Sequence, residues 1–330
     1  MDLMLPALSG ILAFIITFII TPELIKKMHV KNMSGRDVNK KDGRRVPEMG
    51  GIAAIMGFAV ALTVVVGIQK IQGTVDPNAV LGILGVLFMS AFIGLIDDIS
   101  VLSQRMKVIL VAFAALPLVI VHTGSHRVMF PFDFGFTFPY HFYWIIVVPF
   151  AITGAANALN MTAGYNGLET GEVAVISGFL LIISIIKEAS FSTLLVFSGL
   201  LGASLALYYY NRFPAKTFVG DVGTLSMGAV IGAGVITGNI QFYGVILILP
   251  AFFELASTIY YDIKGVDRKA ACRHPVILDG GRLMTPEGAK WYTLAYFILS
   301  KRPLTEKQLV NRILLLYFIC GVVALGLAVV

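Results

Sequence analysis

Ten apolar stretches recur along the chain, at about residues 4–21, 50–68, 77–96, 107–123, 143–159, 171–187, 191–210, 222–239, 241–260 and 310–330. Each approaches the roughly 20 residues a helix needs to cross about 30 Å of hydrocarbon, where every backbone polar group has to be satisfied within the segment. With 57% hydrophobic and 13% charged residues and a mean hydropathy of +0.85, too little polar surface remains for a water-soluble domain. The expected fold is an all-α polytopic membrane protein of about ten transmembrane helices, forming one integral-membrane domain over residues 1–330. Its first partner is the lipid bilayer.

Orientation follows from the cations, because cytoplasmic loops carry the excess of Lys and Arg. Twenty-two of the 25 fall in alternate loops: eight after the first stretch, ten between Lys264 and Arg312, and Arg105, Lys107, Arg212 and Lys216 between them. Only Lys70, Arg127 and Lys187 fall on the other side. Both termini are therefore expected outside. The cytoplasmic loops are expected at about 22–49, 97–106, 160–170, 211–221 and 261–309, the last being the long loop after the ninth span.

The first stretch lacks a basic leader and a small-residue cleavage site, and is expected to end at Thr21-Pro22-Glu23 and stay as a span. Cys272, in a loop, and Cys320, in the last span, are not placed to form a structural disulfide. The net charge of +6 is explained by topology and anionic lipid, so no nucleic-acid partner is expected. Ser125 to Phe142 alternates aromatics with Pro and Gly and predicts a short outer β-hairpin with Phe and Tyr as interfacial anchors. Thr285-Pro286-Glu287 predicts a helix start, and the following GAKWYTLAYFILS an amphipathic interfacial helix. Thr305-Glu306-Lys307-Gln308 predicts a capping box opening the last span.

Four polar islands close or open these stretches, all on the predicted cytoplasmic face. Asp97-Asp98 ends the third span, where adjacent carboxylates repel each other and disfavour a helix C-terminus. Such a pair is either a solvated helix end or a group that binds a divalent cation or activates a nucleophile. Lys107 offers a point charge for phosphate at the same face. In NALNMTAGYNGLETGE, Asn157 and Asn160 stand three apart, and the segment from Asn160 to Asn166 reads as irregular backbone or as a plain turn. In FVGDVG, Asp221 is either a helix cap or a Mg²⁺ ligand beside a pyrophosphate. Arg273-His274 lies in the basic loop and is weak evidence by itself.

Together the islands, with KDGRRVPEMGG from Lys40 to Gly51, resemble the polyprenyl-phosphate N-acetylhexosamine-1-phosphate transferases, glycosyltransferase family 4, over nearly the whole chain. The resemblance implies transfer of a sugar 1-phosphate, with N-acetylglucosamine as the expected sugar, from a UDP-sugar to a polyprenyl (dolichyl) phosphate with release of UMP. This is the first step of lipid-linked glycan assembly, as in protein N-glycosylation. It implies Mg²⁺ as cofactor, with Mn²⁺ as a substitute, held by Asp221 and Asn160. It implies that Phe218 stacks on uracil, that Asn166 hydrogen-bonds it, and that Asn157 lies in the substrate site. Lys107, Arg273 and His274 would contact phosphates or sugar, and Asp97 and Asp98 would position or deprotonate the lipid phosphate. The site would be cytoplasmic, in a cell membrane for an archaeal or bacterial chain and in the endoplasmic reticulum for a eukaryotic one. A homodimer is left open.

The AGYNGLE wording resembles the archaeal and eukaryotic dolichyl-phosphate branch, although Pro275 stands where that branch often shows a second Arg. Two other classes would use the same residues differently. An intramembrane aspartyl protease would use Asp221 with Asp262, but their motifs come in reversed order and Phe218 replaces the first glycine of GxGD. A secondary transporter predicts ionisable residues near the bilayer midplane, whereas these lie at span ends.

Overall fold

The computed structural model describes residues 3–72, 77–132, 134–266 and 274–330. The predicted site residue Arg273, and Cys272 beside it, lie outside them. Among the described residues nine helices are long and apolar enough to cross a membrane, or ten if one bent pair counts as a span. They are α1 (Met4–Val30), α2 (Gly51–Gln72), α3 (Asn78–Ser100), α4 with α5 (Gln104–Ala114 and Leu116–Val121), and α6 (Tyr140–Phe142), which leads through a π turn into α7 (Val148–Thr162). Then come α8 (Leu168–Ile186), α9 (Phe191–Asn211), α10 (Gly220–Thr237), the bent pair α11 (Gln241–Leu247) and α12 (Leu249–Ile263), the short α13 (Leu294–Leu299), and α14 (Glu306–Val329).

Two prolines act oppositely. Pro22 does not end the first span as expected, and α1 continues through it to Val30. A proline lacks the N–H that would bond the carbonyl four residues back, here that of Phe18. The Tyr210 hydroxyl of α9 donates to that carbonyl at 3.1 Å, so the acceptor is satisfied inside the bundle. In the ninth span Pro250 follows a break at Ile248, and the expected single helix is two, bent by 72°.

Helix α10 is the centre of the bundle, with every residue from Val222 to Thr237 buried. Its glycines allow this: a Cβ at Gly228 would lie 2.7 Å from Ala156 Cα of α7, closer than real Cβ contacts. Outer helices expose apolar side chains instead, among them Ile11, Ile15 and Ile19 of α1 and Leu315, Ile319 and Val323 of α14. In a membrane protein such faces meet lipid.

Three small sheets decorate the ends, more than the one hairpin expected. β1 (Ser34–Arg36) pairs antiparallel with β2 (Arg45–Pro47), and β3 (Arg127–Met129) with β4 (Gly135–Thr137), the predicted hairpin. That hairpin covers the α10–α11 connection, where Ser125 N–H donates to Asn239 Oδ1 at 2.5 Å. β5 (Val276–Ile277), β6 (Arg282–Met284) and β7 (Leu304–Thr305) form the third. The expected helix from Thr285 is absent: Ala289 N–H bonds the Pro286 carbonyl in a turn with Gly288 at φ +73°. Helix starts only after Thr293, whose hydroxyl accepts from Tyr296 N–H, while Glu254 of α12 accepts from Leu294 N–H at 2.7 Å. The capping box at Thr305 and Gln308 is present.

Candidate active site

Three helix ends meet at the end of the bundle opposite the β3–β4 hairpin. Asp97 lies in the last turn of α3, and its Oδ1 accepts from Leu102 N–H at 2.5 Å, which turns the chain toward α4. Ser103 caps α4 by accepting from Met106 N–H, so Lys107 falls in the first turn, beside the close of α3. The Lys107 ammonium donates to Asp221 Oδ2 at 2.6 Å and forms a close ion pair with Asp97. The Lys107 and Asp97 side chains are 5% and 8% exposed, against 28% for Asp221, so Asp221 is the carboxylate open to a ligand.

Asp98 is neither a solvated helix end nor a free carboxylate. Its Oδ1 accepts from Asp221 N–H at 2.8 Å and its Oδ2 from Val222 N–H at 3.0 Å. Val219, at the N-cap of α10, provides no side-chain acceptor, and Asp98 of α3 fills that role from another helix. An anion here meets both the orphan N–H groups and the positive end of the helix dipole. Gly220 makes room for it: its φ is +76°, and a Cβ would fall 2.7 Å from Asp98 Oδ2. Asp221 is thus inside the first turn and is not the cap.

The loop before α10 is fixed by the segment after β2. Phe218 N–H donates to the Pro47 carbonyl at 2.8 Å, and Gly50 and Gly51 N–H return bonds to the Phe218 and Val219 carbonyls at 2.8 and 2.9 Å. Phe218 is half-buried. Near this loop the Glu48 carboxyl is held above the ordinary carboxylate range by burial and by Asp98, against a smaller opposing effect of Arg45. Asn160, at the end of α7, accepts at Oδ1 from Thr224 Oγ1 at 2.7 Å, one turn after Asp221. Asn157 does not share this setting. It is buried, and its Nδ2 donates back to the Thr153 carbonyl at 2.9 Å.

Asn166 belongs to a second, neighbouring cluster. Its N–H donates to Glu306 Oε1 at 2.8 Å and its Nδ2 to Asp37 Oδ2 at 3.1 Å. Lys40 pairs with both Glu306 and Asp37, and Arg44 lies 3.6 Å from Asp37. Asn39 Nδ2 donates to the Gly164 carbonyl at 2.8 Å, closing this cluster onto the irregular segment. His274 is exposed and lines a cavity of about 240 Å³ with Asn39, Tyr165 and Glu254. Among the described residues, no hydrogen bond or ion pair joins Asn166 or His274 to Asp97, Lys107 or Asp221, and no group of three or more His, Cys, Asp or Glu side chains is arranged to hold a metal ion.

The structure therefore gathers Asp97, Asp98, Lys107, Asp221, Phe218 and Asn160, and places Asn166 and His274 beside them on connecting loops. Sequence reasoning missed Asp37, Lys40, Glu48, Thr224 and Glu306. Asp37 and Lys40 carried a signal, as charged residues at the edge of the Lys40–Gly51 segment. Glu306 was hidden inside the capping box, because its carboxylate serves another loop.

Residues 80–239 match glycosyl transferase family 4. A Saccharolobus solfataricus protein provisionally named UDP-N-acetylglucosamine--dolichyl-phosphate N-acetylglucosaminephosphotransferase is 31% identical over 306 residues, covering 91% of this chain and 89% of its own. A Sulfolobus acidocaldarius protein of the same name is 33% identical over 265 residues, 78% and 79% of the two chains. A phospho-N-acetylmuramoyl-pentapeptide-transferase of Streptococcus pyogenes is 24% identical over 87% of this chain and 91% of its own. Likeness of this extent, over the same helices and polar ends described above, establishes that the chain is an integral membrane protein belonging to glycosyl transferase family 4.

Proposed function

We propose that this protein transfers N-acetylglucosamine 1-phosphate from a UDP-sugar to a polyprenyl phosphate of the dolichyl type, releasing UMP. The observation that carries the reading is the junction of α3, α4 and α10, where Lys107 holds Asp97 and the more exposed Asp221 while Asp98 binds the first N–H groups of α10. The two archaeal relatives carry names of this reaction.

In the reaction an oxygen of the polyprenyl phosphate attacks the sugar-bearing phosphorus. The bond from that phosphorus to the bridging oxygen breaks, and the pair of electrons leaves with UMP. A phosphate monoester has a second pKa near 6, so the nucleophile is largely dianionic at neutral pH and needs little help from a base. Alignment and charge neutralisation are what remain for the protein. We assign Lys107 to the phosphates, Asp97 to holding Lys107, and Asp98 to fixing the first turn of α10 and hence Asp221.

Asp221 and Asn160, whose Oδ1 accepts from Thr224 one turn after Asp221, both offer oxygen donors, which suits Mg²⁺; a hard ion held by one or two carboxylates and substrate phosphates needs no larger acidic cage. Mg²⁺, with Mn²⁺ as substitute, would supply positive charge at the pyrophosphate oxygens when bound. Phe218, in the loop before α10, is assigned to stacking on uracil, and Asn166 to its polar edge. His274 and Arg273 are assigned to the sugar. We assign this end of the bundle to the cytoplasm, because the Lys- and Arg-rich loops belong to it.

The test is incubation of purified protein with radiolabelled UDP-N-acetylglucosamine, Mg²⁺ and a polyprenyl phosphate. Labelled lipid and UMP are expected from the native protein. Asp221→Ala should make neither while keeping its thermal transition; substantial turnover by that variant removes Asp221 from the site. No labelled lipid under any metal or lipid condition would overturn the function.

A further inference from the structure

A second cavity, of about 330 Å³, is lined by none of Asp97, Asp98, Lys107 and Asp221. It lies between the end of α9 and the start of α14, and its wall includes Tyr208, Arg212, Lys216, Lys307, Asn311 and Asn166. Three cations line it and, among the described residues, no carboxylate does.

Lys40, Lys41, Arg44 and Lys107 reach carboxylates. Among the described residues Arg212, Lys216 and Lys307 form no ion pair. Arg212 and Lys216 lie over the Tyr209 ring, at 5.1 and 5.3 Å from its centroid, which orders them without neutralising them. Like charges gathered without a counter-charge repel, and an anion in the cavity relieves that repulsion. Directly beyond the cavity, α9 and α14 turn apolar side chains outward, with Leu205 44% and Leu315 55% exposed, as on faces that meet lipid. The cavity thus sits at the level of headgroups, with Tyr rings at the boundary.

We propose that this cavity is a binding site for a phosphate-bearing anion, distinct from the reacting centre, and that the headgroup of an anionic phospholipid is its occupant. Arg212 presents a planar fork to phosphate oxygens, Lys216 and Lys307 supply point charges, and Tyr208 and Asn311 supply neutral donors. Of the residues in its wall only Asn166 has been assigned to the transfer reaction, and the three cations have not.

Native mass spectrometry of the full-length protein, titrated with phosphatidylglycerol or with phosphatidylcholine, tests the site. The triple variant Arg212→Gln, Lys216→Gln, Lys307→Gln is compared with a control triple, Lys26→Gln, Lys27→Gln, Lys31→Gln, which removes the same charge near the end of α1. The native protein should bind phosphatidylglycerol saturably and in preference to phosphatidylcholine. At about fivefold per cation, the cavity variant should lose roughly 100-fold in affinity and the control less than about threefold. Lys307→Gln alone, on an exposed helix position, should lose about fivefold and covers the case in which the triple variant does not fold. Equal losses in the cavity and control variants, or no saturable binding, would overturn the proposal. In a separate arm inorganic phosphate competes with the lipid. Phosphate binding that depends on the three cations in the absence of any lipid binding would keep the phosphate site and assign its occupant to solution.

Discussion

Among the described residues Lys107 is the single cation paired with Asp97 and Asp221, and its removal is the sharpest perturbation of the site. Lys107→Met keeps the stem and deletes the charge. Asp97 and Asp221 both bond to the one ammonium nitrogen, so their oxygens lie within about 5 Å of each other. At an effective dielectric of about 20, two charges at that distance repel by about 3 kcal/mol. Breaking a buried pair by removing one partner costs about 3–5 kcal/mol, and the partial exposure of Asp221 argues for the lower end. At about 2 °C per kcal/mol, the thermal midpoint should fall by roughly 6 °C. The fluorescence of Trp144 and Trp291 in detergent provides the readout. Adding Asp97→Asn removes that repulsion, so the double variant should be less destabilised than the sum of the two singles by at least about 1.5 and up to about 3 kcal/mol. A midpoint within about 1 °C of native for Lys107→Met, or strict additivity in the double variant, would refute the coupled triad.

Two further outcomes follow from the same junction. Asp98→Ala leaves two N–H groups of α10 without acceptors and should cost about 2 kcal/mol, with Asp98→Asn intermediate because one acceptor oxygen remains; an unchanged thermal midpoint for the alanine variant rules out the cap. Glu48 has its carboxyl raised by burial, so the folded state holds its proton to higher pH than the unfolded state does. Stability is therefore undiminished below the ordinary value of 4.5 and falls as pH rises above it. Glu48→Gln should raise the midpoint at neutral pH and lose that advantage below pH 4.5; a gain that is the same at every pH would sink the assignment.

What the sequence made legible was the periodic and compositional part of the fold. Long apolar runs report membrane helices, and Asp97, Lys107 and Asp221 stood out because polar residues at span ends need a reason, whereas Phe218 was marked only by the family resemblance. Contacts between distant segments carried no such signal. Asp98 looked like a twin of Asp97, yet Asp97 holds an ammonium and Asp98 caps a helix 123 residues away. Pro22 read as a stop, because nothing in its neighbourhood announces that Tyr210 will satisfy the carbonyl it orphans. Pro250, with the same local chemistry, stands just past a true break. Asn157 and Asn160 share spacing but not environment, since burial decides that one bonds its own helix and the other Thr224. Glu306 fits a helix-start pattern, and only the folded chain reveals that its carboxylate anchors Asn166 and Lys40.

In the proposed reaction the bond broken lies between the two phosphorus atoms of the donor, so that the sugar leaves with its phosphate. UDP-N-acetylglucosamine carrying radioactive phosphorus only at the sugar-bearing position separates this from simple sugar transfer. Incubated with the protein, Mg²⁺ and a polyprenyl phosphate, it should deliver the label to the organic phase while unlabelled UMP accumulates in water. Label retained in water as UDP, with the sugar alone in the lipid, would contradict the account.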